Sequence, residues 1–213
     1  SSLVPADVPL DLKPRNIDNI EGGLKGSLLE HRLSLEAVYF YMVEDGVVLT
    51  PRQGPFFLPT NAGQQNYKGF ETGASYAVSS KGSIYANAAF YRNRFGDFVI
   101  ETEDGDEDLT GNRLPISPDY VLNFGAEILP APAFTVRLDL KTVGGVQTNR
   151  QNTFELDPYT LFDASVTWRR GPLRITASSH NLFNSKYYWN GDGDTADPGR
   201  PRQFLVTTSV RLK

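Results

Sequence analysis

Cysteine is absent from the 213 residues, methionine occurs once and histidine twice. Without cysteine there is no disulfide framework, no thiolate nucleophile and no cysteine zinc site. The two histidines, His31 and His180, fall far apart in any strand map, one at a tight turn and one in the last hairpin. Neither has a third ligand near it, so no metal site is expected. Long apolar runs are missing as well. The longest is Ala37–Val43, seven residues, against the ~18 or more that a membrane helix needs. There is no basic excess, the net charge being −4, which argues against nucleic acid as a partner. Residues 1–12 lack the basic-then-apolar pattern of an export signal, and the chain does not begin with Met, so a processed product or a fragment is expected. Also missing are a Gly-rich phosphate loop, a GxSxG elbow and an HExxH pair. No catalytic residues, no enzyme activity and no cofactor are predicted.

What the sequence does contain is alternation. Phe134, Val136, Leu138 and Leu140 alternate with Thr135, Arg137, Asp139 and Lys141, a period of two that puts apolar side chains on one face of a strand and charges on the other. The same pattern predicts nine strands: residues 16–28, 32–43, 66–78, 83–95, 119–129, 134–146, 159–169, 173–187 and 202–213. Their connections alternate short and long. The long ones carry the Pro, Gly and acidic residues, as in 44–65 and 96–118.

Ordinary strands centre on ~5–6 residues. Strands that cross a bilayer need ~9–11, and membrane barrels pair short turns at one end with long loops at the other. The expected fold is therefore all-β, an antiparallel transmembrane β-barrel. Its apolar face meets lipid, and Glu127, Arg137, Asp139, Lys141 and Asp163 face a wet lumen. A soluble β-sandwich binding module is the weaker alternative, since it gives no reason for every second loop to be short. With short turns periplasmic, the last strand descends and the C-terminus is periplasmic. Nine is odd, and complete bacterial barrels have even counts, so the chain is expected to be the C-terminal part of a larger barrel.

Several stretches resemble one family. Asp11-Leu12-Lys13-Pro14-Arg15 followed by Ile20-Glu21-Gly22-Gly23-Leu24-Lys25 is similar to the "LKPE…YE-G-K" signature of TonB-dependent outer-membrane receptors. Asn61-Ala62-Gly63 with Tyr67-Lys68-Gly69-Phe70-Glu71 resembles their "N-G…-GxE" strand entry. Asn112-Arg113-Leu114-Pro115 with Pro118 and Tyr120 resembles their "N-x-LP-x-x-P" loop exit. Asn181-Leu182-Phe183-Asn184-Ser185-Lys186-Tyr187 resembles their "NLFDKxY" box, and Pro198-Gly199-Arg200-Pro201-Arg202 their re-entry into the last strand. Together these motifs run through the whole chain in the family's order. One departure is the end at Lys213, where the family usually has an aromatic. The resemblance implies that residues 1–213 are the C-terminal segment of a plugged barrel of ~22 strands. It also implies that the N-terminal plug domain and upstream strands lie outside this chain. It implies energised outer-membrane uptake of a scarce chelated nutrient, a ferric siderophore above all. The partners it implies are outer-membrane lipid and lipopolysaccharide, the plug, the TonB complex and a small chelate. A passive pore is the alternative within the same fold.

Candidate ligand contacts are taken from the external end. Phe56 and Phe57 lie inside a loop, and Arg92, Arg94 and Arg150 near loop bases suit an anionic chelate. Ordinary rim charge, or pairing with lipopolysaccharide phosphate, is the simpler account of the arginines. Trp189 stands with Tyr187 and Tyr188 at the external end, where an interfacial girdle is a simpler account of them than a ligand mouth. Two acidic runs, 101–108 and 190–197, have oxygen donors for Ca²⁺, and Asp192, Asp194 and Asp197 are the weak candidates. A solvated outer loop explains both runs more simply.

Overall fold

The computed structural model describes residues 12–211, except 51, 54, 55, 58, 103 and 104. It is an open antiparallel sheet, and no helix occurs among the described residues. Nine consecutive strands pair each with the next: β1 (Asn16–Leu28), β2 (Leu33–Leu49), β3 (Thr60–Ser79), β4 (Gly82–Tyr91), β5 (Tyr120–Ala131), β6 (Phe134–Val143), β7 (Tyr159–Arg170), β8 (Leu173–His180) and β9 (Gln203–Val210). The first and last do not meet, so the sheet is a partial barrel with two open edges. Every residue of β1 and of β9 is exposed.

Register explains the two faces. Gly26, Leu35, Ala74, Ala86, Phe124, Leu140 and Phe162 stand side by side across seven strands. The next row is Lys25, Glu36, Gly73, Asn87, Asn123 and Lys141, and the row beyond Phe124 on the same polar face holds Ser75, Tyr85, Gly125, Asp139 and Asp163. The apolar face is not covered by protein: Ile20, Leu24 and Phe124 are 76%, 83% and 59% exposed. A continuous apolar sheet surface of this kind needs hydrocarbon against it. The buried core lies elsewhere, around the long loops.

Several strand limits differ from the sequence expectation. Strand β2 continues to Leu49 and β3 begins at Thr60, so most of the expected 44–65 connection is ladder, with register shifts between Glu44 and Val48. Period-two reading loses such a segment because each bulge moves the apolar residues to the other face. Strand β4 ends at Tyr91. Residues 94–102 form a separate strand that leaves β4, pairs with Gly63–Asn66 of β3 and turns back as strand 105–108. The expected strand 134–146 ends at Val143, and Val146–Gln147 pairs instead with Glu155–Leu156. The expected strand 173–187 stops at His180, because Asn181 and Asn184 take φ of 50° and 55°, conformations a strand does not contain. Residues 212 and 213 lie outside the described set.

Candidate functional site

The long connections share one end of the sheet, and there they form the small buried core. Val47, Leu49 and Ala62 from the β2–β3 extension meet Phe95, Phe98, Ile100, Leu109 and Leu114 from the 92–119 loop, with Tyr67 against them. Phe98 is fully buried, its ring centroid 4.4 Å from that of Phe95. Close approach requires a glycine at position 63: its φ is 141°, and a Cβ there would sit 2.1 Å from the Asp97 carbonyl oxygen. Hydrophobic packing thus holds the 94–108 hairpin against the β2–β3 extension.

Polar contacts then join this loop to its neighbours. Arg113 Nη1 donates to Glu155 Oε1 at 2.8 Å, and its Nη2 to the Gly145 carbonyl at 2.6 Å. Asp119 Oδ2 lies 3.2 Å from Nη2. Asn152, in a left-handed conformation with φ 57°, accepts from the Arg113 amide at 2.7 Å and donates to its carbonyl at 3.0 Å. Asn112 Nδ2 donates to the Arg150 carbonyl at 2.9 Å, and Gln151 Nε2 to Glu107 Oε2 at 3.2 Å. The Thr148 hydroxyl donates to the Gly193 carbonyl, which carries the network on to the hairpin of 188–192 and 195–198. Three successive loops therefore form one connected rim. Within it, the Thr110 hydroxyl and amide beside Asp108 hold that carboxyl below its usual range.

The arginines expected from sequence separate on this frame. Arg92 is exposed just beyond β4, its amide donating to the Lys68 carbonyl. Arg94 is half-buried and reaches the Gly111 carbonyl at 3.4 Å. Arg150 is exposed in the 144–158 loop, fixed through its backbone. Trp189 is 58% exposed on its hairpin. Phe56 pairs with Gln53, and Phe57 with Arg52, as backbone strands; their side chains lie outside the described residues. Asp192 and Thr195 close the last hairpin, and Asp197 accepts from Asn190 Nδ2 at 3.1 Å. Asp192, Asp194 and Asp197 are not gathered as a metal-holding group, and among the described residues no three His, Cys, Asp or Glu are so placed. Of the run 101–108, residues 103 and 104 lie outside the described set. His31 contacts Ser27 Oγ at 3.1 Å, and His180 contacts Asp163 Oδ2 at 3.1 Å.

Two features escaped sequence reading. Arg113, whose side chain is only 13% exposed, is the cation at the centre of the rim, yet it sits in an ordinary-looking loop motif. Its carboxylate partners are six and 42 residues away, and no local pattern announces such a pairing. The aromatic residues between 183 and 187 also divide between the two faces. Phe183 stacks at 5.3 Å on Phe162 of the apolar row, whereas Tyr187 stacks at 4.4 Å on Tyr159, which shares the polar face of Asp163. Tyr187 lines a groove there with Asp163, His180 and Arg200. Phe183 thus belongs to the lipid side and Tyr187 to the inner wall.

Comparison with known proteins matches these features. The family model for the TonB dependent receptor-like β-barrel covers residues 5–182. A ferrioxamine receptor of Yersinia enterocolitica is 24% identical over 194 residues, 87% of this chain and 26% of that protein. The solved ferric yersiniabactin uptake receptor of Yersinia pestis superposes with a TM-score of 0.76 at 22% identity, over 92% of this chain and 30% of that one. The siderophore receptor PiuA of Acinetobacter baumannii gives 0.79 at 18% identity, over 91% and 28%. The chain thus spans between a quarter and a third of the length of these relatives.

Proposed function

Because this chain belongs to the TonB-dependent receptor β-barrel family, whose relatives are outer-membrane proteins, we propose that it supplies the C-terminal nine strands of a receptor for energised uptake of chelated iron, a ferric siderophore. The observation that carries this reading is the family match over residues 5–182, laid on an open sheet with one apolar and one polar face. The names of the relatives, for ferrioxamine and ferric yersiniabactin, support the ligand class. In this reading the upstream strands close the barrel, a plug fills it and the TonB complex delivers energy from the inner membrane. The C-terminus is periplasmic, and the long loops face outward beside lipopolysaccharide.

No bond is made or broken in such a protein, so it is read as a non-enzyme. Its chemistry is capture and release. An anionic chelate approaching the rim meets the exposed Arg92 and Arg150. Their attraction falls off within ~8 Å at physiological salt, so these charges steer encounter more than they fix affinity. Affinity requires desolvated contacts, for which Arg94, Trp189, Phe56 and Phe57 are the proposed contact residues.

Uptake assays test the reading. A strain lacking the gene is supplied with radiolabelled ferrioxamine, ferric yersiniabactin or ferric citrate, with and without the complementing receptor. Uptake of one of them that depends on the receptor and stops when TonB is deleted is the expected result. Uptake that persists without TonB would make the barrel a passive pore.

A further inference from the structure

Arg113 carries the inference that follows, which rests on the receptor reading above. Its guanidinium is nearly enclosed, both terminal nitrogens are engaged, and Nε is buried without an acceptor. It therefore has no free edge to offer a ligand. Nor does stability alone call for an arginine: buried ion pairs replaced by packed apolar groups are often neutral or more stable. What the residue does is geometric. Through Glu155 and Gly145 it ties the 92–119 loop to the 144–158 loop, and Asn152 closes the same joint from the other side through the Arg113 backbone. Arg150, two residues before Asn152, is held by the same joint through Asn112.

We infer that Arg113 is a positioning residue that clamps the two external loops together, so that Arg150 and the rim are set before an anionic chelate arrives. Loops ordered in advance lose less conformational entropy on binding, and a rim populated mainly in its competent form does not dilute intrinsic affinity. Arg113 acts through the order it gives this rim and does not touch the ligand. The planar fork matters, since it meets a carboxylate and a carbonyl at fixed angles that a lysine's single ammonium cannot reproduce.

The test uses the complete receptor in detergent, with variants R113Q and R113K. Hydrogen exchange across residues 144–158 reads the clamp. Titration with ferrioxamine, ferric yersiniabactin or ferric citrate, whichever the uptake panel selects, reads the consequence. R113Q is expected to lose protection in that segment and to bind about tenfold more weakly, while the unfolding midpoint of the barrel stays unchanged. R113K should recover part of both. In the R113Q background, Glu107→Cys and Gln151→Cys joined by a short bis-maleimide, each thiol adding across one maleimide double bond, should restore affinity, which the loss of a direct ligand contact would not allow. This chain has no cysteine of its own, and any cysteine elsewhere in the complete receptor is first replaced by serine. Unchanged protection in R113Q would overturn the clamp. Lost protection with unchanged affinity would overturn the positioning role and leave the receptor reading standing. A wild-type receptor that binds none of the chelates would sink that reading and the positioning role with it, and the exchange data would then decide the clamp alone.

Discussion

Gly125 is a residue whose side chain is needed by its absence. The Tyr85 ring lies across it, so that an added Cβ would sit 2.2 Å from the ring. The Tyr85 hydroxyl meanwhile donates to Asp139 and accepts from Arg137 Nη2 at 2.7 Å. Gly125→Ala is expected to push the ring off this network and destabilise the folded protein by ~1–3 kcal/mol, the usual cost of overpacking. Adding Tyr85→Ala should remove most of that further loss, because the clash partner is gone. Urea midpoints of the folded protein in detergent measure both. Asp108 makes a pH prediction in the rim. Its carboxyl is held below the ordinary ~3.9 by the Thr110 hydroxyl and amide. The contribution to folding is full above that ordinary value and is lost as pH falls through the lowered native one. Protection of the Thr110 amide against hydrogen exchange is expected to persist through the ordinary carboxylate range and to fail only below it. Asp108→Ala should abolish that pH dependence.

Strand by strand, the two faces make opposite demands. Leu138 shares its row with Ile84, Ala126 and Ala164, all on the lipid side. Leu138→Lys is expected to destabilise the inserted protein by ~2–4 kcal/mol, the depth-dependent cost of a cation in hydrocarbon. Lys141→Leu, three residues on but facing the lumen with Asn123, should cost well under half of that. Equilibrium folding into lipid vesicles against denaturant separates the pair, and equal costs would mean that the faces have been assigned to the wrong media. The nine main strands were legible because apolar and polar residues alternate every two positions along them. The upper parts of β2 and β3 were not, since bulges between Glu44 and Val48 shift the phase. Strand 94–102 was divided between the expected strand 83–95 and the expected loop 96–118 because a strand that changes partners carries no mark of the change in its own sequence.

The whole sheet has two unpaired edges, and both edge strands are exposed along their length. Unpaired backbone beside an apolar face invites association. This chain expressed alone is expected to aggregate in plain buffer and to partition into detergent. Sedimentation in the two media decides, and a stable monomer in buffer would sink the membrane placement.

The sequence by itself determined the all-β class, the alternation of faces, the short and long connections and the family, since each is written in local pattern or in motifs contiguous along the chain. The tertiary structure alone decided which charges at the rim are enclosed and which are exposed. Arg92 and Arg150, conspicuous in sequence, stand in solvent, whereas Arg113, inconspicuous, is enclosed by carboxylates and a carbonyl from residues 119, 145 and 155. The wall assignments of Phe183 and Tyr187 were likewise settled by the strands they pack on. Local periodicity encodes the direction a side chain takes from its own backbone. Its partners are set by loops that meet only when the chain has folded.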